Sequence, residues 1–349
     1  MVVSGPHLSR MLPIQLFLED LRKQGIGFTL YTDIPNDPTI ESIEKARQAY
    51  LENRCDCLVA IGGGSILDAG KAIGILVSHP DKTLPQFRGL LKIRHPIPLL
   101  IAVPTTAGTG SEATVASVIS DKNDKYALSD PKLIPSYAIL DNELLVSLSP
   151  RIIADTGMDA FCHAIEAYIG HSNTAFTKQT ALSAMVGIRT NLLPFYQDAL
   201  NPDARDGMLL ASYRAGVSFT RAYVGYVHAL AHAIGGQYHI AHGRAIAILL
   251  PYVLESYGST IDKDMLTIYD ALSLGPRTSD RVKARKAVIG FIRDTNRALG
   301  IEEGFHGLIQ ESDMTTLAKH ADKEANPFYP VPREENVAEL LGILRKANR

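Results

Sequence analysis

The first 140 residues alternate short apolar runs with stretches of helical periodicity. Aliphatic and aromatic runs at residues 28–31, 57–61, 98–103 and 137–140 predict strands, and the segments at 14–24, 39–53 and 66–78 predict helices. Strands that are apolar on both faces and alternate with helices are typical of a parallel sheet covered by helices. This part of the chain is therefore predicted to form an α/β domain.

The pattern changes at Ser149, after which only helical periodicity continues. Ser149 is a favourable N-cap, and Pro150 suits the first position of a helix. Further helical patterns follow at residues 177–193, 204–222, 227–234, 244–257, 281–299 and 337–348. The sequence thus predicts two domains, an α/β domain over residues 1–148 and an all-helical domain over residues 149–349.

Composition and charge exclude several classes of partner. The 349 residues are 46% hydrophobic and 21% charged, which is enough apolar material for two packed cores. The formal net charge is −2 and no basic cluster stands out, so we expect neither a nucleic acid nor a membrane as partner. Three cysteines and an N-terminus without a signal-peptide pattern favour the reducing cytoplasm.

An acid-and-histidine set marks the helical domain. Asp159 and His163 are four residues apart, as are His228 and His232, so each pair shares one face of a helix. With His242 close behind, Asp159, His163 and two of the three later histidines can surround one divalent cation without any thiolate. Such a set suits catalytic Fe²⁺ or Zn²⁺ better than structural zinc. A single histidine is more often a surface or capping residue, but two such pairs favour a metal site.

Two glycine-containing loops each follow a predicted strand. Residues 62–65 read Gly-Gly-Gly-Ser and open a helix, where free N–H groups attract phosphate. Residues 104–112, with the sequence PTTAGTGSE, offer hydroxyls for phosphate, ribose or a carboxamide. Either loop also fits a structural turn or a capped helix start, and Asp68 and Lys71 fit ordinary surface charges. Together, at the carboxyl ends of two strands, the loops predict a nucleotide site.

These motifs resemble the iron-containing (group III) alcohol dehydrogenase family over nearly the whole chain. The resemblance rests on GGGSILDAGKA at 62–72, PTTAGTGSE at 104–112, the Asp159–His163 pair and HALAHAIGGQYHIAHG at 228–243. It implies an α/β nucleotide-binding domain like that of dehydroquinate synthase, followed by an all-α metal-binding domain. It further implies hydride transfer between a small alcohol or its aldehyde and NAD or NADP, with Fe²⁺ or Zn²⁺ bound, in a homodimer.

The resemblance also implies roles for individual residues. His232 matches a catalytic histidine near the nicotinamide, His239 has no role, and Phe219 borders the alcohol pocket. The positions that match metal ligands are Asp159, His163, His228 and His242. The positions that match cofactor-binding residues are Gly62, Gly63, Gly64, Ser65, Thr105, Thr109, Lys125 and Leu144.

The chain departs from the family pattern at a few positions. It begins inside the first nucleotide-binding strand, so we expect the opening strand hairpin to be missing. Gly5 stands where relatives have an aspartate that binds the adenosine ribose, and losing that carboxylate removes a charge that repels a 2′-phosphate. We therefore expect NADP(H) to be accepted. Asp37, counted with the cofactor-binding residues, replaces the asparagine of an Asn-Pro-Thr run, and Ala116 replaces a polar pocket residue.

Three other functions stay open at this point. A zinc-dependent polyol dehydrogenase of the glycerol type shares the fold, although the loops match the iron type more closely. A dehydroquinate-synthase-like lyase requires a battery of basic residues for its phosphorylated substrate, and the loop segments offer few. A non-catalytic metal-binding protein is the third. A nicotinamide absorbance change separates an oxidoreductase from this last class.

Overall fold

The computed structural model describes residues 1–121 and 124–349, and gives the backbone alone for residues 124 and 125. Met1–Ser147 and Leu148–Arg349 are separate compact units. The sequence placed the end of the first domain at residue 148. Among the described residues, no helix combines the length and the apolar character that a membrane span requires.

A five-stranded parallel sheet in the order β2-β1-β3-β5-β8 forms the centre of the first unit. A smaller sheet in the order β4-β7-β6 pairs β6 and β7 antiparallel. In chain order the strands are β1 (Val2–Ser4), β2 (Leu30–Tyr31), β3 (Cys57–Gly62), β4 (Gly89–Leu90), β5 (Leu99–Pro104), β6 (Ala116–Asp121), β7 (Asp124–Ser129) and β8 (Tyr137–Ala138). The apolar side chains of Leu58, Ala60 and Leu100 share one face of the sheet and are at most 1% exposed. On the opposite face Val59 and Ile101 are half-buried and Leu99 is exposed, so this unit buries one face of the two strands more completely than the other.

Three long helices belong to this unit, namely α1 (Leu12–Lys23), α2 (Ile40–Glu52) and α3 (Gly64–Ser78). Thr39 starts α2 with a capping box in which Thr39 and Ser42 satisfy each other's backbone N–H groups. α3 packs against β3 and β5, and its small residues allow the close approach. The parallel α/β fold is confirmed, and it brings the ends of β1, β3 and β5 to one edge of the sheet.

The second unit is entirely helical, as expected. Its helices are α4 (Pro150–Ile169), α5 (Ala175–Gln197), α6 (Pro202–Ala222), α7 (Tyr226–Tyr238), α8 (His242–Tyr257), α9 (Asp262–Ala271), α10 (Arg281–Ala298), α11 (Glu311–Ala325) and α12 (Val337–Ala347). Ser149 caps α4 through the N–H of Ile152, and Pro150 is its first residue. α4 packs against α5, α6 and α8, and α7 packs against α8 and α11. α4 is therefore buried almost along its whole length, which makes it a rigid platform for polar side chains.

Candidate metal and nucleotide sites

Helices α4, α7 and α8 bring three imidazoles around one carboxylate oxygen. Oδ1 of Asp159 lies 3.8 Å from Nε2 of His163, 3.6 Å from Nε2 of His228 and 3.5 Å from Nε2 of His242. The four-residue spacing on α4 places Asp159 and His163 on one face. Donor atoms of Asp159, His163 and His228 all lie within 4.8 Å of one another. This arrangement has the size of a coordination shell.

Asp159, His163 and His228 are buried, whereas the side chain of His242 is 37% exposed, and two donor atoms of the cluster are left unsatisfied. Asp159 is 2% exposed and His228 is 3% exposed. Yet Asp159 Oδ1 and His228 Nε2 have no hydrogen-bond partner among the described residues, which is rare for buried polar atoms and fits donors reserved for a cation. Burial opposes the ionisation of Asp159, but the nearby imidazoles, His163 first among them, hold its carboxyl pKa well below its usual range. One carboxylate oxygen with imidazole nitrogens fits Fe²⁺ or Zn²⁺.

Glu166 supports His228 through the opposite ring nitrogen. Its Oε2 lies 2.5 Å from Nδ1 of His228, and its Oε1 accepts a hydrogen bond from the N–H of Val227 at 2.9 Å. Because a carboxylate only accepts, Nδ1 carries a proton, and a bound cation would take the Nε2 lone pair of the neutral ring. Buried Cys162 lies 4.0 Å from the same Nδ1, and with Glu166 and His228 it forms a second group of close donors. Because Glu166 already binds that nitrogen, we interpret this second group as support for the first.

A glycine sets the position of His242, the first residue of α8. A Cβ on Gly243 would lie 2.2 Å from the carbonyl oxygen of Asp155 on α4, so only glycine allows the two helices to approach this closely. Arg244 then forms an ion pair with the Asp155 carboxylate at 2.7 Å. These contacts hold His242 beside Asp159.

His232 lies next to the cluster but makes a different contact. Its Nδ1 lies 2.7 Å from Oε1 of Glu324 on α11, and its ring stacks on His242 with centroids 5.1 Å apart. The candidate metal-binding groups found among the described residues include neither His232 nor His239, and they do not include His242 either. His242 differs from His232 because its Nε2 lies 3.5 Å from Oδ1 of Asp159. His239 is exposed at the C-terminal end of α7, in a left-handed conformation. The catalytic role of His232 stays a prediction.

Phe219 on α6 forms an aromatic wall beside the cluster. Its ring stacks on His163 with centroids 4.0 Å apart and planes at 12°. The ring is half-buried, so part of its surface remains accessible. An apolar wall next to a metal ligand is a suitable border for the carbon chain of a small alcohol.

The first glycine loop lies at the end of β3, where α3 begins. Gly62 pairs with Pro104 at the end of β5, Gly63 is the N-cap of α3 and Gly64 is its first residue. No side chain among the described residues caps this helix, so its first N–H groups are available to an anion. Ser65, the next residue, donates a hydrogen bond to the carbonyl oxygen of Asn36.

The second glycine loop interlocks with the first. The N–H of Thr105 donates to the carbonyl oxygen of Gly62 at 3.0 Å. A Cβ on Gly64 would lie 2.8 Å from Cγ2 of Thr109, whereas a Cβ on Gly63 would have no neighbour closer than 3.4 Å. Gly64 is therefore required for contact between the loops, and Gly63 leaves room for an approaching ligand.

Lys71 on α3 is buried, so its interpretation as an ordinary surface charge is wrong. It is 0% exposed, and its Nζ lies 2.7–3.0 Å from five oxygens of Ser111, Thr114 and Ala116. Burial lowers the pKa of Lys71 to about 8. Asp68 accepts a hydrogen bond from the hydroxyl of Ser111 at 2.7 Å. The pair therefore ties α3 to the end of the second glycine loop and to β6.

Gly5 and Asp37 lie in loops of the same unit. Gly5 follows β1, and a Cβ there would meet only the side chain of Leu8, at 3.7 Å. Asp37 is exposed, next to the residue whose carbonyl binds Ser65. The cofactor-binding roles of both positions remain predictions.

Three further predicted residues have separate locations. Leu144 is buried in the short 3₁₀ helix Asn142–Leu145, and Ala116 is the half-buried first residue of β6. The side chain of Lys125 lies outside the described residues. The cofactor and pocket roles of these three residues remain predictions.

The sequence analysis missed Glu166 and Glu324. Glu166 lies seven residues after Asp159 and three after His163, so helical periodicity already places it on the same face of α4. Glu324 gives no such signal, because it is 92 residues from His232 along the chain. Only the packing of α11 against α7 brings these two residues together.

Comparisons with known proteins agree over almost the whole chain. Residues 1–142 match the family described as iron-containing alcohol dehydrogenase, and residues 153–348 match the C-terminal domain of the same family. The NADPH-dependent butanol dehydrogenase of Clostridium saccharobutylicum is 33% identical over 341 residues, which cover 93% of this chain and 85% of that protein. The 1,3-propanediol dehydrogenase of Klebsiella pneumoniae is 33% identical over 95% of this chain and 86% of its own length.

Solved structures agree with the fold. A 1,3-propanediol oxidoreductase superposes with a TM-score of 0.95 at 32% identity, covering 99% of this chain and 91% of that one. An alcohol dehydrogenase from Oenococcus oeni superposes with a TM-score of 0.94 at 29% identity, with the same coverage of 99% and 91%. With both halves matched, the chain belongs to the iron-containing alcohol dehydrogenase family and is an NAD(P)-dependent oxidoreductase of alcohols.

Proposed function

We propose that the cluster on α4, α7 and α8 holds Fe²⁺, with Zn²⁺ as the alternative ion, for hydride transfer between a short primary alcohol and NAD(P). The proposed ligands are Asp159, His163, His228 and His242. The observation that carries this proposal is one buried carboxylate oxygen with three imidazole Nε2 atoms at 3.5–3.8 Å. When bound, the cation lowers the pKa of the alcohol oxygen and the nicotinamide accepts the hydride.

The chain's own residues bind and orient the reactants. Glu166 holds His228 with its Nε2 lone pair toward the cluster. The backbone N–H groups at Gly63 and the start of α3 bind the pyrophosphate. Phe219 packs against the carbon chain of the substrate. His232, whose side chain is 31% exposed, accepts the alcohol proton at Nε2 and releases it to solvent.

The relatives and Gly5 support a finer assignment. Two similar proteins are named for butanol and 1,3-propanediol, so we assign short primary alcohols and diols as the substrate class. Gly5 places no carboxylate after β1 to repel a 2′-phosphate, and a similar protein is named as NADPH-dependent. NADP(H) is therefore assigned as an accepted cofactor.

Metal analysis and one set of assays test the proposal. The protein is loaded with Fe²⁺ or Zn²⁺, and its metal content is measured. Oxidation of 1-butanol, 1,3-propanediol and glycerol with NAD⁺ or NADP⁺ is followed by nicotinamide absorbance at about 340 nm. One ion per chain and turnover of the first two alcohols support the proposal. Turnover of glycerol alone favours a polyol dehydrogenase, and a metal-loaded protein without any turnover contradicts the proposal.

A further inference from the structure

Helices α7 and α11 share a hydrogen-bonded trio. Nδ1 of His232 on α7 lies 2.7 Å from Oε1 of Glu324 on α11. The hydroxyl of Tyr329, four residues beyond the end of α11, donates to the same Oε1 at 2.7 Å. The side chains of His232 and Glu324 are 31% and 33% exposed. The imidazole is therefore held at Nδ1 and is partly exposed.

The Glu324 carboxylate determines which nitrogen of His232 carries the proton. Because a carboxylate accepts and does not donate, Nδ1 must be the protonated nitrogen, and Nε2 of the neutral ring keeps its lone pair. Burial raises the pKa of Glu324, but His232 and the hydrogen bond from Tyr329 outweigh it and hold this pKa below its usual range. Glu324 is thus a charged acceptor.

We infer that Glu324 is a positioning residue that presents Nε2 of His232 to the reacting alcohol. This inference rests on the proposed role of His232. In the oxidation direction the O–H bond of the alcohol breaks and an N–H bond forms at Nε2. The ring becomes a cation, and the Glu324 carboxylate stabilises it through the Nδ1–H hydrogen bond. The proton then leaves from Nε2 to solvent.

Other contacts hold α7 and α11 together without Glu324. At one end of α7, the hydroxyl of Tyr226 donates to Oδ1 of Asn326 at 2.7 Å. At the other end, the hydroxyl of Tyr238 and the side-chain amide of Gln237 donate to Oδ2 of Asp313 at 2.6 and 2.7 Å. Removing the Glu324 carboxylate is therefore expected to release the imidazole and leave the helix packing in place.

The test is a double-mutant cycle on the metal-loaded enzyme with 1-butanol and NADP⁺. Glu324→Leu removes the acceptor and is expected to lower kcat roughly 30-fold, the scale of one charge-assisted hydrogen bond. Glu324→Gln retains a neutral acceptor oxygen and is expected to lower kcat less. In both variants KM and metal content stay near those of the wild type. In a His232→Ala background neither substitution has a further effect, because Glu324 acts through that ring.

The matched control is Asp313→Asn, which weakens another contact between the same two helices and is expected to leave kcat unchanged. A second measurement is independent of turnover. In zinc-loaded protein labelled with ¹⁵N-histidine, NMR is expected to find His232 protonated at Nδ1 in the wild type and in Asp313→Asn, and to find this tautomer lost in Glu324→Leu.

Three results overturn the inference. The first is a wild-type kcat in Glu324→Leu. The second is a Glu324 substitution that lowers kcat as strongly in the His232→Ala background as in the wild type. The third is a His232 ring protonated at Nε2 in the wild type. If Glu324→Leu does not fold, Glu324→Gln completes the same cycle. A His232→Ala variant with wild-type turnover overturns the proposed role of His232 instead, while the NMR result still decides whether Glu324 orients the ring.

Discussion

The two units build their sites from different materials. In the first, the polar groups offered to a ligand are backbone N–H groups and hydroxyls on glycine loops, and the buried ammonium of Lys71 holds the end of the second loop. In the second, the groups offered are imidazole and carboxylate side chains on buried helices. Shape would therefore govern the proposed nucleotide site, and donor chemistry would govern the proposed metal site. The nucleotide site should be most sensitive to a side chain that adds volume, and the metal site to the loss of one nitrogen or oxygen donor.

The largest expected effect belongs to the metal site. His242→Ala is expected to remove most of the bound metal and to lower kcat more than about 100-fold, because one of four proposed ligands is lost. His232→Ala is the matched comparison, since its ring is a neighbour on the same side of the cluster. It should keep its metal and still lose turnover, about 100-fold for a proton-transfer residue. Elemental analysis and steady-state kinetics measure both. Full metal content in His242→Ala, or metal loss in His232→Ala, would reverse the two assignments.

The next largest expected effect concerns Lys71, the buried lysine of the first unit. Lys71→Met leaves the five oxygens around Nζ without their donor. We expect the free energy of unfolding to fall by about 3 kcal/mol, because buried carbonyl and hydroxyl oxygens are left without a donor. Urea denaturation measures this change. Lys45→Met is the control, because its ion pair with Glu41 is exposed and its loss should leave the free energy of unfolding nearly unchanged. Equal effects of the two substitutions would show that Lys71 is not an anchor.

Gly63 tests whether volume alone excludes the cofactor. Gly63→Val is expected to weaken NADP⁺ binding roughly 30-fold, the value of one or two phosphate hydrogen bonds, and to leave stability nearly unchanged. Gly64→Ala should do the opposite, because its Cβ would lie 2.8 Å from Thr109 Cγ2 and destabilise the loops. Gly27→Val, with no atom near its Cβ, is the control. Fluorescence titration and thermal melts separate the effects, and an unchanged affinity in Gly63→Val would mean that this loop is structural only.

The smallest expected effect is on the choice between the two nicotinamide cofactors. Gly5→Asp restores a carboxylate after β1, and the space around its Cβ accommodates the change. Repulsion of a 2′-phosphate at a partly exposed site is worth about 1.4 kcal/mol, or roughly tenfold in the ratio of kcat/KM for NADP⁺ to that for NAD⁺. Gly5→Asn adds the same volume without charge and should leave the ratio unchanged. An equal shift in both variants would attribute the effect to size.

Local patterns predicted most of the architecture and part of the site. The apolar runs gave β3 and β5, the Ser149–Pro150 cap gave the start of α4, and the i, i+4 pairs gave Asp159 with His163. These features succeed because the spacing of residues along a helix or strand fixes their direction over a few residues. The same rule applied to Glu166 would have found it, since it continues the face of α4 that carries Asp159.

The rest depends on tertiary packing, which local spacing does not encode. Lys71 resembles a surface residue along the chain, and only the fold of residues 111–116 over α3 buries it. Helices α9 and α11 and the pairing of β6 with β7 were not predicted. Because α11 was not predicted, Glu324 on that helix was missed as well. Its partner His232 is 92 residues away along the chain, beyond the reach of any local pattern. Which downstream histidines approach Asp159 is likewise decided by how α8 packs on α4.

Gly243 has no side chain and no chemical role, yet it limits how this scaffold can be re-engineered. The proposed ligands Asp159 and His163 lie on α4, and His242 begins α8. The distance between the helices that carry them is fixed by the backbone of Gly243 against the carbonyl of Asp155, where a Cβ would meet oxygen at 2.2 Å. Any larger residue would push α8 away from α4 and move His242 away from Asp159. A hydrogen atom in place of a methyl group thus sets how closely the His242 imidazole on α8 can approach the Asp159 carboxylate on α4.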